Sequence, residues 1–300
     1  MKILNLFSAI VLASSAGAFA QQQRPVSIQV IASFDYPGEG NSTSAQGIND
    51  QGDITGSYDD VNGVTRSFVR YRNGTFSEPI VEPNDTDAFT FARDINNLGT
   101  VAGSYGTADG ETHGFLLSAG TYTEFDAPNT VSTYIYGSND SDDLVGVSYA
   151  TDTSFGMAYS RIGGTTTIID LPSVKTSFAY GINNAQEVVG LYYERRDFNY
   201  HGFYRAPDGT ITAPIDAPGA VTTFLSGINE RGVIVGRYGD STGAQHGLVF
   251  RMPHFFLSFD YPGATFTSVS GINNQGYVTG RYDNGDGIFH SYLARIRFGR

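Results

Sequence analysis

The 300-residue sequence contains no cysteine, and charged residues make up only 16% of it. No disulfide can form, so the fold must be held by its hydrophobic core, which a chain of this length can bury. Cations are scarce as well: 18 Lys and Arg face 30 Asp and Glu, for a formal net charge of −12. Because phosphate groups are bound mainly by clustered cations, this deficit argues against nucleic acid and anionic lipid as partners.

Apolar runs of membrane-spanning length are also missing beyond the N-terminus. Residues 1–20 contain one lysine, an apolar stretch over 3–13 and a small-residue end, Ala-Phe-Ala, at 18–20. This order predicts a cleaved secretory signal peptide. An uncleaved membrane anchor is the alternative, but the apolar stretch is short for a span. We therefore expect an extracellular or periplasmic protein, with residues 21–26 as a disordered leader and residues 27–300 as one domain.

Glycine and aromatic residues are abundant: the chain has 37 glycines, and aromatics account for 13% of it. This composition is typical of many short strands joined by tight turns. The segment Ser270–Tyr282, Ser-Gly-Ile-Asn-Asn-Gln-Gly-Tyr-Val-Thr-Gly-Arg-Tyr, recurs at intervals of about 43 to 47 residues. Its copies carry a repeated asparagine at Asn49, Asn96, Asn139, Asn183, Asn229 and Asn273. A fixed period of this size predicts a repeat architecture.

Each repeat contains two further markers. One is an acid shortly before a proline, found at Asp35, Asp126, Asp170, Asp216 and Asp260, with Glu82 in a degraded copy. The other, His-Gly-Phe, begins at His113, His201, His246 and His290, with Arg66 and Phe155 in the first and third repeats. Proline cannot donate to a strand ladder, so the first marker ends a strand. The turn residues after Gly-Ile-Asn indicate a hairpin, so each repeat is predicted to form about four strands.

Four antiparallel strands in about 45 residues predict a propeller blade, and six such repeats predict an all-β, six-bladed β-propeller. The last repeat stops after its His290 strand, whereas the segment before Phe34 supplies a strand without the rest of a repeat. Pairing of Ser27–Phe34 with the last blade closes the ring and leaves no long edge exposed. An open β-solenoid is the alternative, but it needs no such complementary ends.

The series Gly-Ile-Asn-Asn-x-Gly, Val-x-Gly-x-Tyr, His-Gly-Phe and Asp-x-Pro-Gly resembles the HAF family of extracellular repeats in secreted bacterial proteins. The resemblance covers nearly the whole chain after residue 20. It implies an exported repeat protein of propeller form, and it implies no particular biochemical role. The third repeat departs most from the pattern, with Tyr136-Gly-Ser-Asn-Asp140 and Phe155. We therefore expect its blade to be the least regular.

The repeated polar residues have structural explanations. Equivalent positions on different blades are spread around a ring, so the histidines cannot easily converge on one metal ion. We expect each histidine to bond within its blade to the aspartate of Asp-x-Pro, because buried polar groups find partners. The repeated asparagine suits a hairpin turn, where its short amide bonds its own backbone. No metal site is predicted from these residues.

Differences among the repeats indicate a candidate ligand site. A tyrosine recurs after each second strand, and arginines gather in the last three repeats. If these turns line one face, it is aromatic with a basic half, suited to stacking on sugar rings or binding a carboxylate. The candidate ligand-binding residues are Tyr58, Tyr105, Tyr192, Arg195, Arg237, Tyr238, Arg281 and Tyr282. The alternative is a set of ordinary strand-end aromatics with solvated charges.

No catalytic constellation stands out in the sequence. Glu194 with Asp197, or Asp283 with Asp286, has the residue types of a glycosidase, but sequence proximity does not set the carboxylate separation. The runs 59–63 and 283–287 have oxygen ligands at a spacing that resembles a Ca²⁺ loop. Neither run supplies the acid that follows in an EF-hand, and turn propensity explains both.

We therefore predict a monomeric binding or scaffolding module without catalytic residues or a cofactor. Its partner is expected to be an extracellular glycan or a protein. Two alternatives stay open: a polysaccharide hydrolase or lyase with its acids on the propeller face, and a structural component of a surface layer.

Overall fold

The computed structural model describes residues 26–38, 42–151, 154–172, 174–194, 198–252 and 255–298. These residues form twenty-three strands and no helix, so they contain no helical segment able to cross a membrane. The predicted signal peptide and residues 21–25 of the predicted leader lie outside them. The first strand begins at Val26, one residue before its predicted start.

The first twelve strands are β1 (Val26–Phe34), β2 (Thr43–Ile48), β3 (Ile54–Asp59), β4 (Thr65–Arg70), β5 (Thr90–Ile95), β6 (Val101–Gly106), β7 (Thr112–Ser118), β8 (Thr121–Phe125), β9 (Ser132–Ser138), β10 (Leu144–Tyr149), β11 (Met157–Ile162) and β12 (Thr165–Ile168). The others are β13 (Thr176–Ile182), β14 (Val188–Tyr193), β15 (Tyr200–Arg205), β16 (Ile211–Ile215), β17 (Thr222–Ile228), β18 (Ile234–Gly239), β19 (Gln245–Arg251), β20 (Phe255–Phe259), β21 (Phe266–Ile272), β22 (Tyr277–Asp283) and β23 (His290–Phe298).

The strands form successive antiparallel sheets, each built from one sequence repeat. The sheets are β2–β4, β5–β8, β9–β12, β13–β16, β17–β20, and β21–β23 together with β1. Within each sheet the first strand leads into the repeated asparagine, through Gly-Ile in four repeats, Asp94-Ile95 in the second and Gly137-Ser138 in the third. The second strand carries the Val-x-Gly segment or its equivalent. This strand order agrees with the order predicted from the repeat. Single parallel bridges, Thr112 to Ser132 and Gln245 to Phe266, join two pairs of neighbouring sheets.

The two ends of the described chain meet in one sheet. Strand β1 pairs antiparallel with β23, from Val26 opposite Phe298 to Phe34 opposite Ser291, with a register shift between Val30 and Ala32. The predicted pairing between the N-terminal strand and the last repeat is therefore present. It covers the outer edge of β23, which otherwise exposes unpaired backbone groups.

The first repeat, not the third, has the irregular sheet. Strands β9–β12 of the third repeat pair in full order, which corrects the prediction that this unit is the least regular. In the first repeat the fourth segment makes only isolated bridges, from Ser67 to Ile80 and from Arg70 to Phe76. Pro79 lies in this segment, and proline cannot donate a ladder hydrogen bond.

The third repeat also differs in its register. Tyr159 lies opposite Gly146, as Phe115 lies opposite Gly103 in the second repeat. Met157 therefore occupies the position of the repeated histidine, and the assignment of Phe155 to it is wrong by two residues. The strand pairing decides this point, because the loop before β11 has a different length from its counterparts.

The core lies between neighbouring sheets, where aromatic side chains of the third strands are fully buried. These side chains are Phe68, Phe115, Tyr159, Phe203 and Tyr292. One cluster joins Val69 of the first repeat to Ala92 and Ile95 of the second. Burial of apolar surface between sheets therefore holds each repeat to the next, without disulfides.

The repeated asparagines connect all six sheets through hydrogen bonds. Each Oδ1 serves its own turn; Asn49 Oδ1, for example, accepts from the backbone N–H of Asp53 at 2.9 Å. Each Nδ2 donates to the backbone carbonyl of the next repeated asparagine, in the order Asn49, Asn96, Asn139, Asn183, Asn229, Asn273 and back to Asn49, at 2.9 to 3.3 Å. The predicted turn role is confirmed, and the sequence did not indicate the link between repeats.

Candidate functional site

The inner strands converge on a central space, and one position in each of them faces it. This position lies three residues before the repeated asparagine, and its occupants are Gln46, Arg93, Tyr136, Tyr180, Ser226 and Ser270. The residues on either side of this position do not line the space. The Gly-Ile-Asn that follows is almost constant, whereas this position varies in size and charge from repeat to repeat. The symmetry of the repeats is therefore broken at the axis.

Two second-strand arginines enter the same space. Arg237 of β18 lies opposite Phe224, and Arg281 of β22 lies opposite Ser268. With Phe91, Leu191 and the inner-strand residues they line a cavity of about 390 Å³, which we call the axial cavity. The lining also contains Ser226, Ser268 and Ser270, whose small side chains leave room for the long arginine side chains.

Each guanidinium group in the axial cavity lies over an aromatic ring. The Cζ atom of Arg93 is 3.9 Å from the ring centre of Phe91. The corresponding distance is 3.9 Å from Arg237 to Phe224 and 4.3 Å from Arg281 to Phe289. Arg281 Nη1 also donates to Ser44 Oγ at 3.3 Å. Contacts between a cation and a ring face hold the positive groups in place without neutralising them.

The positive charge of the axial cavity is not balanced by protein. Within the described parts of the chain, no carboxylate lines the cavity or forms an ion pair with its arginines. Burial lowers the pKa of Arg281 to about 10, and the charges of Arg237 and Arg93 add to this effect. Burial also lowers the pKa of Arg237, whose Nε is buried without a hydrogen-bond partner. Burial and mutual repulsion therefore disfavour the charged forms of Arg237 and Arg281.

Two tyrosines form an aromatic wall in the axial cavity. The rings of Tyr136 and Tyr180 are 4.6 Å apart and almost parallel, at 7°. Burial raises the pKa of both hydroxyls, so both tyrosines are neutral at physiological pH. Flat ring surfaces beside fixed hydrogen-bond donors are the usual means of positioning a ligand in a mostly apolar pocket.

The opposite end of the axis is narrower and is occupied by the protein's own hydrogen bonds. The residue after each repeated asparagine lies here, and acids alternate with amides from one repeat to the next: Asp50, Asn97, Asp140, Asn184, Glu230 and Asn274. Each side chain accepts a backbone N–H from a neighbouring repeat at 2.7 to 2.9 Å. This arrangement supports the contact between repeats and leaves a cavity of only about 100 Å³.

Comparison with known proteins identifies the architecture. No protein-family model matches the sequence, and no curated protein matches it. A structure of TolB from Agrobacterium tumefaciens is 12% identical, with a TM-score of 0.58 over 91% of this chain and 99% of that one. The β-propeller domain of the Trilobed protease from Pyrococcus furiosus is 9% identical, with a TM-score of 0.51 over 84% of this chain and 81% of that one. The chain has a β-propeller fold.

A lectin has a propeller structure of the same kind. The Aleuria aurantia lectin, in complex with Fucα1-6GlcNAc, is 9% identical, with a TM-score of 0.51 over 85% of this chain and 94% of that one. At such identities the likeness concerns the fold alone, because one fold hosts many unrelated functions. The sheets described above are accordingly called blades below.

The residues predicted for ligand binding do not share one face of the propeller. Arg237 and Arg281 line the axial cavity, and Arg195 lies outside the described residues. Each tyrosine lies one residue after the position of its strand that faces the axis. Its side chain points away from the axis, because side chains alternate along a strand. Four of them lie beside the histidine of the same blade, with ring centres 5.0 to 5.6 Å apart: Tyr105, Tyr192, Tyr238 and Tyr282. Tyr58 stacks on Tyr36 at 3.8 Å.

The predicted histidine–aspartate pairs are present in four blades. Nδ1 of the histidine lies 2.8 to 2.9 Å from a carboxylate oxygen in the pairs His113–Asp126, His201–Asp216, His246–Asp260 and His290–Asp35. In the last pair the aspartate follows β1, so the contact joins the two ends of the chain. The pairs therefore anchor the end of one strand to the start of another, as the sequence indicated.

The acidic turns make local hydrogen bonds. Asp60 Oδ1 accepts from the backbone of Asn62 and Val64 at 2.8 and 3.0 Å, and Asp283 Oδ1 accepts from Gly285 at 2.7 Å. These contacts are those of turns, the alternative that the sequence favoured over Ca²⁺ loops. Among the described residues, His113, Glu124 and Asp126 are the one group that brings three metal-ligand atoms within 4.8 Å. Glu124 already accepts from the Tyr105 hydroxyl, and Asp126 pairs with His113.

Sequence reasoning missed Arg93, Tyr136 and Tyr180. The available signal was variation at a fixed place in the repeat, three residues before the asparagine. The candidates predicted from the sequence, Arg237 and Arg281 among them, lie within the second strands, where axial and outward positions alternate. Aligning the six repeats column by column separates the two kinds of position.

Proposed function

We propose that the protein is an exported six-bladed β-propeller of the HAF-repeat type that binds a ligand in its axial cavity without transforming it. Two contacts support a closed ring: the pairing of β1 with β23 and the asparagine circuit that returns from Asn273 to Asn49. The secretory character of residues 1–20 supports export. The HAF resemblance supports the same assignment through its repeat motifs.

The ligand class that suits the axial cavity is carbohydrate. The observation that carries this proposal is the stacked pair of rings, Tyr136 and Tyr180, in the lining of an open volume that also contains hydrogen-bond donors. Sugar rings have apolar faces that pack on aromatic side chains and hydroxyl edges that need polar partners. Gln46, Ser226 and Ser270 line the same cavity and supply such partners.

The lining of the axial cavity favours binding over hydrolysis. A glycosidase of the usual kind needs two carboxyl groups on either side of the scissile bond. None of the described residues that line the cavity is an aspartate or a glutamate. Asp283 and Asp286, one of the acidic pairs considered from the sequence, form turn and histidine contacts outside it.

A glycan array followed by isothermal titration calorimetry tests the proposal on the chain after residue 20. We expect binding of an oligosaccharide without release of shorter products. Tyr180→Leu should weaken that binding by about 5-fold, since stacking on an aromatic side chain contributes on the order of 1 kcal/mol. The melting temperature should change little, because leucine keeps an apolar side chain at the position.

Tyr71→Leu is the matched control. Tyr71 is 43% exposed and does not line the axial cavity, so its loss should leave glycan affinity unchanged. Product release from a polysaccharide would establish the hydrolase or lyase alternative instead. Ordered self-assembly without any glycan binding would favour the structural surface-layer role.

A further inference from the structure

The axial cavity collects three cations from three separate blades. Arg93 comes from the second blade, Arg237 from the fifth and Arg281 from the sixth, and all three line one volume of about 390 Å³. The protein as a whole has a formal net charge of −12. The three arginines are therefore a local excess of positive charge on a protein that is acidic overall.

These cations are costly to keep together. The charges of Arg237 and Arg93 both act against the protonated form of Arg281, which shows that the three groups repel one another. Arg237 Nε is buried and has no hydrogen-bond partner. A buried, unpaired charged donor destabilises a fold, and such local conflicts are found chiefly at functional sites.

The arginines are oriented for a ligand. Each one lies over a ring, Phe91, Phe224 or Phe289, so one flat face of the guanidinium group is covered. The N–H donors of a guanidinium group lie in its plane and are therefore not covered by such a contact. Only one hydrogen bond to protein is formed by the side chains of these three arginines within the described residues, from Arg281 to Ser44. Donors remain free for an acceptor within the cavity.

We infer that the ligand of the axial cavity carries an anionic group, a carboxylate or a sulfate ester, that binds between Arg93, Arg237 and Arg281. Planar donors in this number match the oxygens of such a group. This inference rests on the proposed carbohydrate function and narrows it to acidic sugars, with the Tyr136–Tyr180 wall receiving the sugar ring. Carboxylate and sulfate offer the same chemistry here, and the experiment separates them.

Calorimetry with matched probes tests the inference. The probes are an oligogalacturonate, the neutral galacto-oligosaccharide of equal length, and a sulfated form of the same neutral sugar. We expect the wild-type protein to bind one of the two acidic probes at least about 10-fold more tightly than the neutral probe, because hydrogen bonds to a charged group are stronger than those to a neutral one. The acidic probe that binds more tightly identifies the anionic group.

Arg237→Gln with Arg281→Gln removes two cations and keeps hydrogen-bonding side chains. The double variant should lose the preference for the acidic probe while retaining its affinity for the neutral one. Its melting temperature should change little, because loss of the ring contacts is offset by loss of the repulsion between the two buried charges. Arg251→Gln is the control for net charge, since Arg251 is exposed and lies outside the cavity lining.

The outcomes separate the two proposals. Equal affinity for acidic and neutral probes in both wild type and double variant overturns the anion inference and leaves carbohydrate binding intact. If no sugar binds but sodium sulfate raises the melting temperature of the wild type and not of the double variant, the carbohydrate function is wrong and anion binding stands. If neither sugar nor sulfate has an effect, both proposals are wrong.

Discussion

Asp94 is the residue that departs most from its repeat near the axis. The five equivalent positions hold glycines: Gly47, Gly137, Gly181, Gly227 and Gly271. A side chain at most of them would collide with the neighbouring blade; a Cβ on Gly181 would lie 2.9 Å from Gly227 Cα. Asp94 is accommodated because the next blade has Ser138 where most repeats have isoleucine, and its N–H and Oγ donate to Asp94 Oδ2 at 2.7 and 3.3 Å.

The environment of Asp94 predicts a measurable effect of pH on stability. Burial raises its pKa to about 6, although the hydrogen bonds from Ser138 and Ile95 oppose the shift. Between pH 4 and pH 6 the unfolded chain therefore loses this proton while the folded chain keeps it, and the free energy of unfolding falls as pH rises. Asp94→Asn should remove this fall. At pH 7.5 we expect the variant to be more stable than wild type by about 1 kcal/mol, since part of the carboxyl remains in contact with solvent.

Urea denaturation of wild type and Asp94→Asn from pH 4 to pH 7.5 measures the difference between their free energies of unfolding. The contributions of the other carboxylates cancel in this difference. If the free energy of unfolding changed with pH in the same way in both proteins, Asp94 would titrate at its ordinary pKa and its burial would have no energetic consequence.

At the scale of the strand, the histidine–aspartate pairs fix where the third strand of a blade starts. His290 at the start of β23 has carboxylates on both ring nitrogens: Asp35 at Nδ1, 2.9 Å away, and Asp286 at Nε2, 3.0 Å away. Burial alone lowers the pKa of His290, but the hydrogen bonds and charges of Asp286 and Asp35 outweigh it, so the pKa is raised. The charged imidazole is thus favoured by folding.

The pair between His290 and Asp286 should stabilise the protein below about pH 6.5 and lose its effect as pH rises through the raised pKa of His290. Asp286→Asn should therefore destabilise the protein at pH 6 and much less at pH 8.5. Thermal unfolding at both values, with an NMR titration of His290, measures this.

Asp208→Asn is the control for Asp286→Asn. Asp208 accepts a backbone N–H in its turn, as Asp286 does, but has no histidine partner among its described contacts. The effect of Asp208→Asn should be the same at pH 6 and pH 8.5. An equal pH dependence in both variants would contradict the role given to His290.

At the scale of the whole molecule, hydrogen bonds from the repeated asparagines link each blade to the next. The repeated asparagines provide one donor per boundary, and the last boundary joins Asn273 to Asn49 at 2.9 Å. Because the oxygen of the same amide also accepts one or two N–H groups of its own turn, each asparagine links turn geometry to blade position; for Asn229 these are the N–H groups of Arg231 and Val233. The amide is therefore used by two blades at once, its oxygen by its own turn and its nitrogen by the next blade.

Asn229→Asp keeps the acceptor for the turn and removes the donor for the next blade. The side chain of Asn229 is buried and donates to Asn273 O at 3.0 Å, so a carboxylate there faces a carbonyl oxygen. We expect the free energy of unfolding to fall by about 2–3 kcal/mol, because a buried acceptor loses its partner and a charge is buried. Asn62→Asp, at an exposed turn, should change it by less than about 0.5 kcal/mol. Equal effects of the two variants in urea denaturation would show that the asparagine circuit contributes nothing beyond its turns.

Features that depend on one repeat could be predicted from the sequence. The strand order, the hairpin after Gly-Ile-Asn and the pairing of His113 with Asp126 involve residues close along the chain, so spacing and residue type were sufficient. The register of the third repeat could not be predicted, because a loop of different length places Met157 where Phe155 was expected. Loop length is a poor guide to pairing, since backbone hydrogen bonds decide the register.

The sequence alone determined that the chain is an all-β repeat protein and that its first strand pairs with its last repeat. The first of these features depends on a local pattern of residue types and turns, and the second depends on complementary ends. Only the tertiary structure decided that Arg93, Arg237 and Arg281 share one cavity. It also decided that Arg281 faces the axis while Tyr282 packs beside His290. The physical reason is that convergence of the inner strands brings together one position from each repeat, and strand alternation turns the adjacent residue away from it.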